Sequence, residues 1–142
     1  MARVERSITI NAPVEIVFSY ITEPKNELEI VPSITDIRDI KGQGVGQRFS
    51  WTYKMVGISL KGKSEVIEYE PNQRYITNST GGIISTWIWT FRPEDDGTLL
   101  NLLVEYTIPV PVIGKVGEQL ILRQNEREAD LAMATIKDRL ES

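Results

Sequence analysis

The sequence predicts an α+β domain: a seven-stranded antiparallel sheet whose apolar face is covered by a long C-terminal helix. Three observations carry this expectation. Apolar residues alternate with polar ones in strand after strand, most strongly at Phe49, Trp51 and Tyr53, at Trp87, Trp89 and Phe91, and at Leu100, Leu102, Val104 and Tyr106. A period of two puts each set on one face. Short Gly, Pro, Asn and Asp clusters join the segments after Ser33, and connections that short make neighbouring strands antiparallel. From about Ile113 to Glu141 proline disappears, and that stretch reaches ~43 Å as a helix.

The elements follow in order. Val4, Ile8 and Ile10 alternate with Glu5, Ser7 and Thr9, giving a first strand in which Arg6 interrupts the apolar face. In NAPVEIVFSYITEP, Asn11 is placed to cap a helix and Pro13 suits its first turn. Val14, Val17, Phe18 and Ile21 fall at helical spacing, and Pro24 ends the helix. PKNELEI reads as a second short helical turn. Ser33 to Ile40 is the next strand, and Gly42, Gly44 and Gly46 turn the chain into Gln47 to Met55. This GQGVG lies between two strands with no helix after it, so it is a turn and not a dinucleotide loop.

Gly57 turns into Ser59 to Glu70, with Leu60, Gly62, Ser64 and Val66 on one face and Lys61, Lys63 and Glu65 on the other. Pro71-Asn72 leads to a short polar strand, Arg74 to Thr80, and Gly81-Gly82 to the tryptophan strand. Asp95-Asp96-Gly97 marks a hairpin into Leu99 to Ile108. Pro109 and Pro111 stiffen the corner that follows, while Gly114 and Gly117 relax the start of the helix. Leu122, Asn125, Ala129, Ala132, Met133, Ile136 and Leu140 make its inner stripe. Arg123 with Glu126 and Arg127 with Asp130 are spaced to pair on its surface.

The length, 142 residues, suits one domain spanning 1–142. With 41% hydrophobic and 25% charged residues the composition is that of a soluble globular protein. A net charge of -4 and a pI near 5.0 disfavour nucleic acid as a partner. Cysteine and histidine are both missing from the sequence. That excludes disulfides, thiolate catalysis and every Ser-His or Cys-His arrangement, and it removes the usual zinc ligand. Glu27/Glu29 and Glu94/Asp95/Asp96 read as solvated loop charge, so neither metal nor other cofactor is expected. The N-terminus MARVERSITINAP lacks the apolar stretch of a signal peptide, and no apolar run approaches the ~20 residues of a membrane span. A cytoplasmic protein without membrane insertion is the expectation.

At INAPVEIVFSYI, at YTIPVPVIGKVGEQL and at the closing IKDRLES the chain resembles the START and pathogenesis-related-allergen superfamily, and within it the polyketide cyclase/dehydrase-like branch. The resemblance covers essentially the whole chain. It implies a helix-grip fold, in which a strongly curved sheet wraps the long helix and leaves an elongated cavity for lipids, polyketides, quinones, sterols or similar molecules. It carries no shared catalytic signature, so no catalytic residue follows from it.

The candidate ligand-binding residues are Phe49, Trp51, Tyr53, Asn78, Trp87, Trp89, Phe91, Val104, Tyr106, Asn125, Ala129 and Met133. Large aromatics are also ordinary core residues. Broad rings facing Ala129, Ala132 and Met133 either fill the space or leave a trough; the resemblance favours the trough. Asn78 and Asn125 are candidate partners for the buried tyrosine and tryptophan polar groups, or for one polar group of a ligand. Arg74 is a candidate for an anionic head group, or else a solvated strand-end charge. Three functions fit: a carrier or sensor of a hydrophobic molecule; a cyclase, aromatase or dehydratase with Tyr53, Tyr106 or Glu68 as acid-base groups; and a protein-interaction module. The first is the leading expectation.

Overall fold

In a computed structural model, residues 2–55, 57–107 and 110–141 are described, the side chains of residues 55 and 110–113 excepted. The chain forms β1 (Ala2–Ile10), α1 (Val14–Thr22), a 3-10 turn (Pro24–Asn26), α2 (Glu27–Ile30), β2 (Ile34–Lys41), β3 (Arg48–Met55), β4 (Ile58–Glu70), β5 (Arg74–Gly81), β6 (Ile84–Glu94), β7 (Gly97–Thr107) and α3 (Val110–Glu141). The strand order is β1-β7-β6-β5-β4-β3-β2, with every neighbouring pair antiparallel. After β1, the two short helices carry the chain to the far edge of the sheet. Five tight connections then bring it back until β7 closes beside β1. This is the expected architecture: an open, curved sheet with α3 across its concave face. Register shifts after Ile34 and Arg38 on β2 and after Val66 on β4 add the local twist that bends such a sheet.

Inward parity is continuous across the strands. Phe49, Trp51 and Tyr53 of β3, Leu60 and Val66 of β4, Trp89 and Phe91 of β6, and Leu100, Leu102, Val104 and Tyr106 of β7 are all buried. Helix α1 closes one end. Its Phe18 packs edge-on against Phe91 at 5.0 Å and Tyr69 at 5.2 Å, a geometry favoured by the ring quadrupoles. Helix α3 contributes Ile121, Ala129, Ala132, Met133 and Ile136, all buried, and is fixed to β1 by polar contacts. Lys137 Nζ donates to the Thr9 carbonyl at 3.0 Å, and Glu141 accepts from the Asn11 amide at 2.7 Å.

Four expectations are corrected. The N-cap of α1 is Pro13, with no side-chain cap bond; Asn11 lies two residues too early, and its backbone amide donates to Glu141 at the end of α3. Asp130 pairs with Arg6 of β1 at 2.7 Å and not with Arg127. The arginine that breaks the apolar face of β1 thus reaches across to the helix. Helical backbone starts at Val110 rather than Ile113, and it is interrupted at Gly114 (φ 75°, ψ 175°). Glycine reaches that conformation without steric penalty, so the relaxed helix start expected there is a break. Pro109 lies outside the described residues. Glu27 and Glu29 lie on α2, not on a loop.

Candidate functional site

Between the sheet and α3 lie two adjacent cavities. The first, of ≈ 70 Å³, is lined by Glu27, Ile34, Trp51, Tyr53, Ser64, Thr77, Ser79, Ile83, Ser85, Trp87, Val104, Tyr106, Thr107, Ile121 and Asn125. It reaches the surface where exposed Thr107 and half-buried Ile83 form its rim. The second, of ≈ 40 Å³, is lined by Val4, Val31, Tyr53, Trp87, Leu102, Val104, Asn125, Glu128, Ala129 and Ala132. Four residues line both: Tyr53, Trp87, Val104 and Asn125. They form the partition that the two chambers share.

Hydrogen bonding holds the partition. The Tyr53 hydroxyl donates to Glu128 Oε2 at 2.5 Å, with Asn125 Oδ1 at 3.2 Å. Glu128 Oε1 accepts from the Ser33 amide at 3.0 Å, and Gln124 Nε2 donates to Ser33 Oγ at 2.7 Å. This network fastens α3 to the β2–β3 edge. Burial first, and the Glu128 charge second, push the Tyr53 phenol well above its ordinary value. It therefore stays protonated, a donor and not a base. Substituting Tyr53→Phe should cost about 2 kcal/mol in urea unfolding, because the buried Glu128 loses one of its two donors. An unchanged midpoint would mean that the partition is not held this way.

A row of hydroxyls crosses the floor of the first chamber. Cross-strand register places Ser64 of β4 opposite Ser79 of β5, Ser79 opposite Ser85 of β6, and Ser85 opposite Tyr106 of β7. Ser64 and Ser79 share a hydrogen bond at 2.9 Å, and Trp51 Nε1 donates to Ser64 Oγ at 2.9 Å. Thr77 and Ser85 are buried, yet neither hydroxyl has a side-chain partner among the described residues. Burial raises the Tyr106 phenol, an effect that the Asn125 amide beside it opposes.

Six of the expected site residues come together at the first chamber: Trp51, Tyr53, Trp87, Val104, Tyr106 and Asn125. Ala129 lines the second. Phe49, Trp89, Phe91 and Met133 are buried core and line neither cavity. Asn78 is exposed on the outer face, where it accepts from Thr86 Oγ1 at 2.9 Å. Its register partner Thr86 sits between the inward Ser85 and Trp87, so parity turns Asn78 outward. Arg74 pairs with Glu68 at 2.6 Å, and neither lines a cavity. Among the described residues no cluster of acidic groups is arranged to hold a metal, and no helix is long and apolar enough to cross a membrane.

Sequence reasoning missed Glu27 and Glu128. Glu128 stands three residues after Asn125 and four before Ala132, so the helical period did place it on the inner stripe. Glu27 was read as solvated charge. The residue as a whole is half-buried, but it lines the first chamber, and burial of its carboxyl pushes that group up to about 7. No partner of its carboxylate is found among the described residues. Glu29 does have partners, the Tyr20 hydroxyl at 3.1 Å and Arg139 at 3.3 Å.

The family described as polyketide cyclase / dehydrase and lipid transport matches residues 1–141. No curated protein sequence matches the chain. Among solved structures, TTHA0849 from Thermus thermophilus superposes with a TM-score of 0.83 at 19% identity, over 98% of this chain and 97% of that one. The Zhui aromatase/cyclase from Streptomyces sp. R1128 gives 0.80 at 15% identity, over 99% and 93%. Ara h 8.0201 gives 0.64 at 16% identity, over 95% and 97%. At such identities these structures establish the shared fold.

Proposed function

We propose that this chain, which belongs to the polyketide cyclase / dehydrase and lipid transport family, binds a hydrophobic small molecule between the sheet and α3, as a carrier or sensor. One observation carries the reading. The first chamber has walls of Trp51, Trp87, Ile34, Val104 and Ile121, and into it converge polar groups without partners of their own, among them Thr77, Ser85 and Glu27. An apolar pocket with a few convergent polar groups is the usual form of a small-molecule site. The volume, ≈ 70 Å³, admits roughly five water-sized groups at ~10–15 Å³ each. A larger ligand protrudes past Thr107 or displaces the Tyr53–Asn125 partition into the second chamber.

Native mass spectrometry of gently purified protein, with extraction and identification of what is released, tests for a resident ligand. Calorimetric titration with 4-butylbenzyl alcohol tests the cavity itself. Trp87→Gln should weaken uptake by about tenfold or more, since it removes a wall shared by both chambers, while circular dichroism stays unchanged. Equal uptake in that variant would remove the cavity assignment. A second reading, a cyclase-type enzyme, is favoured by one feature. Tyr106 presents a neutral phenol to the chamber beside Asn125, suited to donating a hydrogen bond to a carbonyl held in a reactive fold. Turnover of a poly-β-ketone substrate that disappears in Tyr106→Phe would put this reading first.

A further inference from the structure

We infer that the cavity selects ligands offering a hydrogen-bond donor, a hydroxyl or protonated amine, to Glu27, and that it rejects anionic amphiphiles such as fatty acids. This rests on the cavity reading above. The charge inventory is one-sided: the residues lining the two chambers include two carboxylates, Glu27 and Glu128, and no lysine or arginine. Glu128 is already engaged by Tyr53 and Ser33. Glu27 is not engaged, and a carboxylate in its ionised form only accepts hydrogen bonds.

Lys25, two residues before Glu27, is exposed and lines neither chamber, and three arginines of the surrounding elements are engaged by other carboxylates. Arg38 bridges Asp36 at 2.8 Å, Arg74 bridges Glu68, and Arg139 bridges Glu29 of α2 itself. An incoming carboxylate or phosphate would meet like charge with no compensating cation in the chamber lining. An alcohol or ammonium would complete the bonding that Glu27 lacks. Thr77 and Ser85 remain for other oxygens of the ligand, because a hydroxyl both donates and accepts.

The titration of Glu27 agrees with this geometry. The elements packed against α2 bring Lys25 from the 3-10 turn, the Asp36–Arg38 pair from β2, and Glu128 and Arg139 from α3; Tyr75 of β5, with Tyr69 and Glu23 beside it, feels the Glu27 charge. None of these accounts for the raised Glu27 value, which burial alone produces. Glu27 is therefore charged at pH 8 and largely neutral at pH 6.

The test uses 4-butylbenzyl alcohol, 4-butylbenzylamine and 4-butylbenzoate, titrated calorimetrically at pH 8 into the protein and into Glu27→Gln. The alcohol and the amine should bind about tenfold or more tighter than the benzoate, and Glu27→Gln should narrow the gap to about threefold, partly by improving the benzoate. A second measurement needs no variant: between pH 8 and pH 6 the benzoate should gain about threefold or more while the alcohol changes little. Equal affinities at pH 8, or a preference untouched by Glu27→Gln and by pH, overturn the inference and leave the cavity standing. Failure of all three probes to bind overturns the cavity reading, and this inference with it.

Discussion

Gly62→Ala should cost about 3 kcal/mol of folding stability, the upper part of the range for forcing extra volume into a packed site. A methyl group at position 62 would come within 3.0 Å of the six-membered ring of Trp51 and 2.6 Å from the Thr80 carbonyl oxygen. Neither neighbour yields cheaply. The carbonyl belongs to the β5 backbone, and the indole is pinned by its bond to Ser64. The bare backbone of Gly62 thus leaves room for the six-membered ring of Trp51, which makes one wall of the first chamber. The alanine would drive the ring inward and break the Trp51–Ser64–Ser79 chain of hydrogen bonds. Urea unfolding should show the loss, and uptake of 4-butylbenzyl alcohol should fall with it. Gly44→Ala is the control. Its φ of +64° with open space around it predicts a loss of only about 1 kcal/mol from backbone strain. A Gly62→Ala protein as stable as the Gly44→Ala control would show that Trp51 does not rest there.

Trp51 also illustrates what the sequence could reveal. Period-two alternation identified the inward face of β3, β6 and β7, and turn residues located the strand ends within one or two positions. Parity, however, says which face a ring occupies and not what stands opposite it. Trp87, Trp89 and Phe91 share a face, but Phe91 is met by Phe18 of α1 while Trp87 overlooks the chambers. That division depends on where α1 and α3 cross the sheet, a tertiary fact with no local signal. β5 carried too few apolar residues to show its parity alone, so Asn78 was assigned to the wrong face. Pairing it with the tryptophan strand would have corrected this, because an inward Trp87 requires an inward Thr77. The carboxylates were hidden for a different reason. Charged residues are rarely buried, and that rule fails where a site exists. Glu128 lies in the charged run EREAD, and Glu27 in a helix of four residues whose burial comes from its position against the sheet.

The burial of the Glu27 carboxyl makes a second large effect measurable without any ligand. This group is raised by burial from 4.5 to about 7 in the folded protein, and an unfolded chain restores the ordinary value. Below pH 4.5 both states hold the proton, and Glu27 has no bearing on stability. Between that pH and about 7 the unfolded state releases a proton that the folded state keeps, so stability falls as pH rises. Above about 7 both states are ionised, and the full penalty of holding the charge inside is present, up to about 3 kcal/mol at 1.36 kcal/mol per unit. Asp36 and Glu141 act in the opposite sense: hydrogen bonds, from Thr52 and Arg38 and from Lys137 and the Asn11 amide respectively, hold both below the usual carboxylate range. Their contribution is lost only in more acid solution, so it does not overlap the Glu27 window. Glu27→Gln, nearly the same shape without the titration, should therefore unfold at the wild-type temperature near pH 4 and roughly 10 °C above it at pH 8. The difference should open between pH 5 and 7. A variant whose melting curve parallels the wild type at every pH would return Glu27 to the solvent and remove the acceptor on which ligand selection depends. A variant less stable at pH 8 would show instead that the carboxylate has a partner in the folded protein.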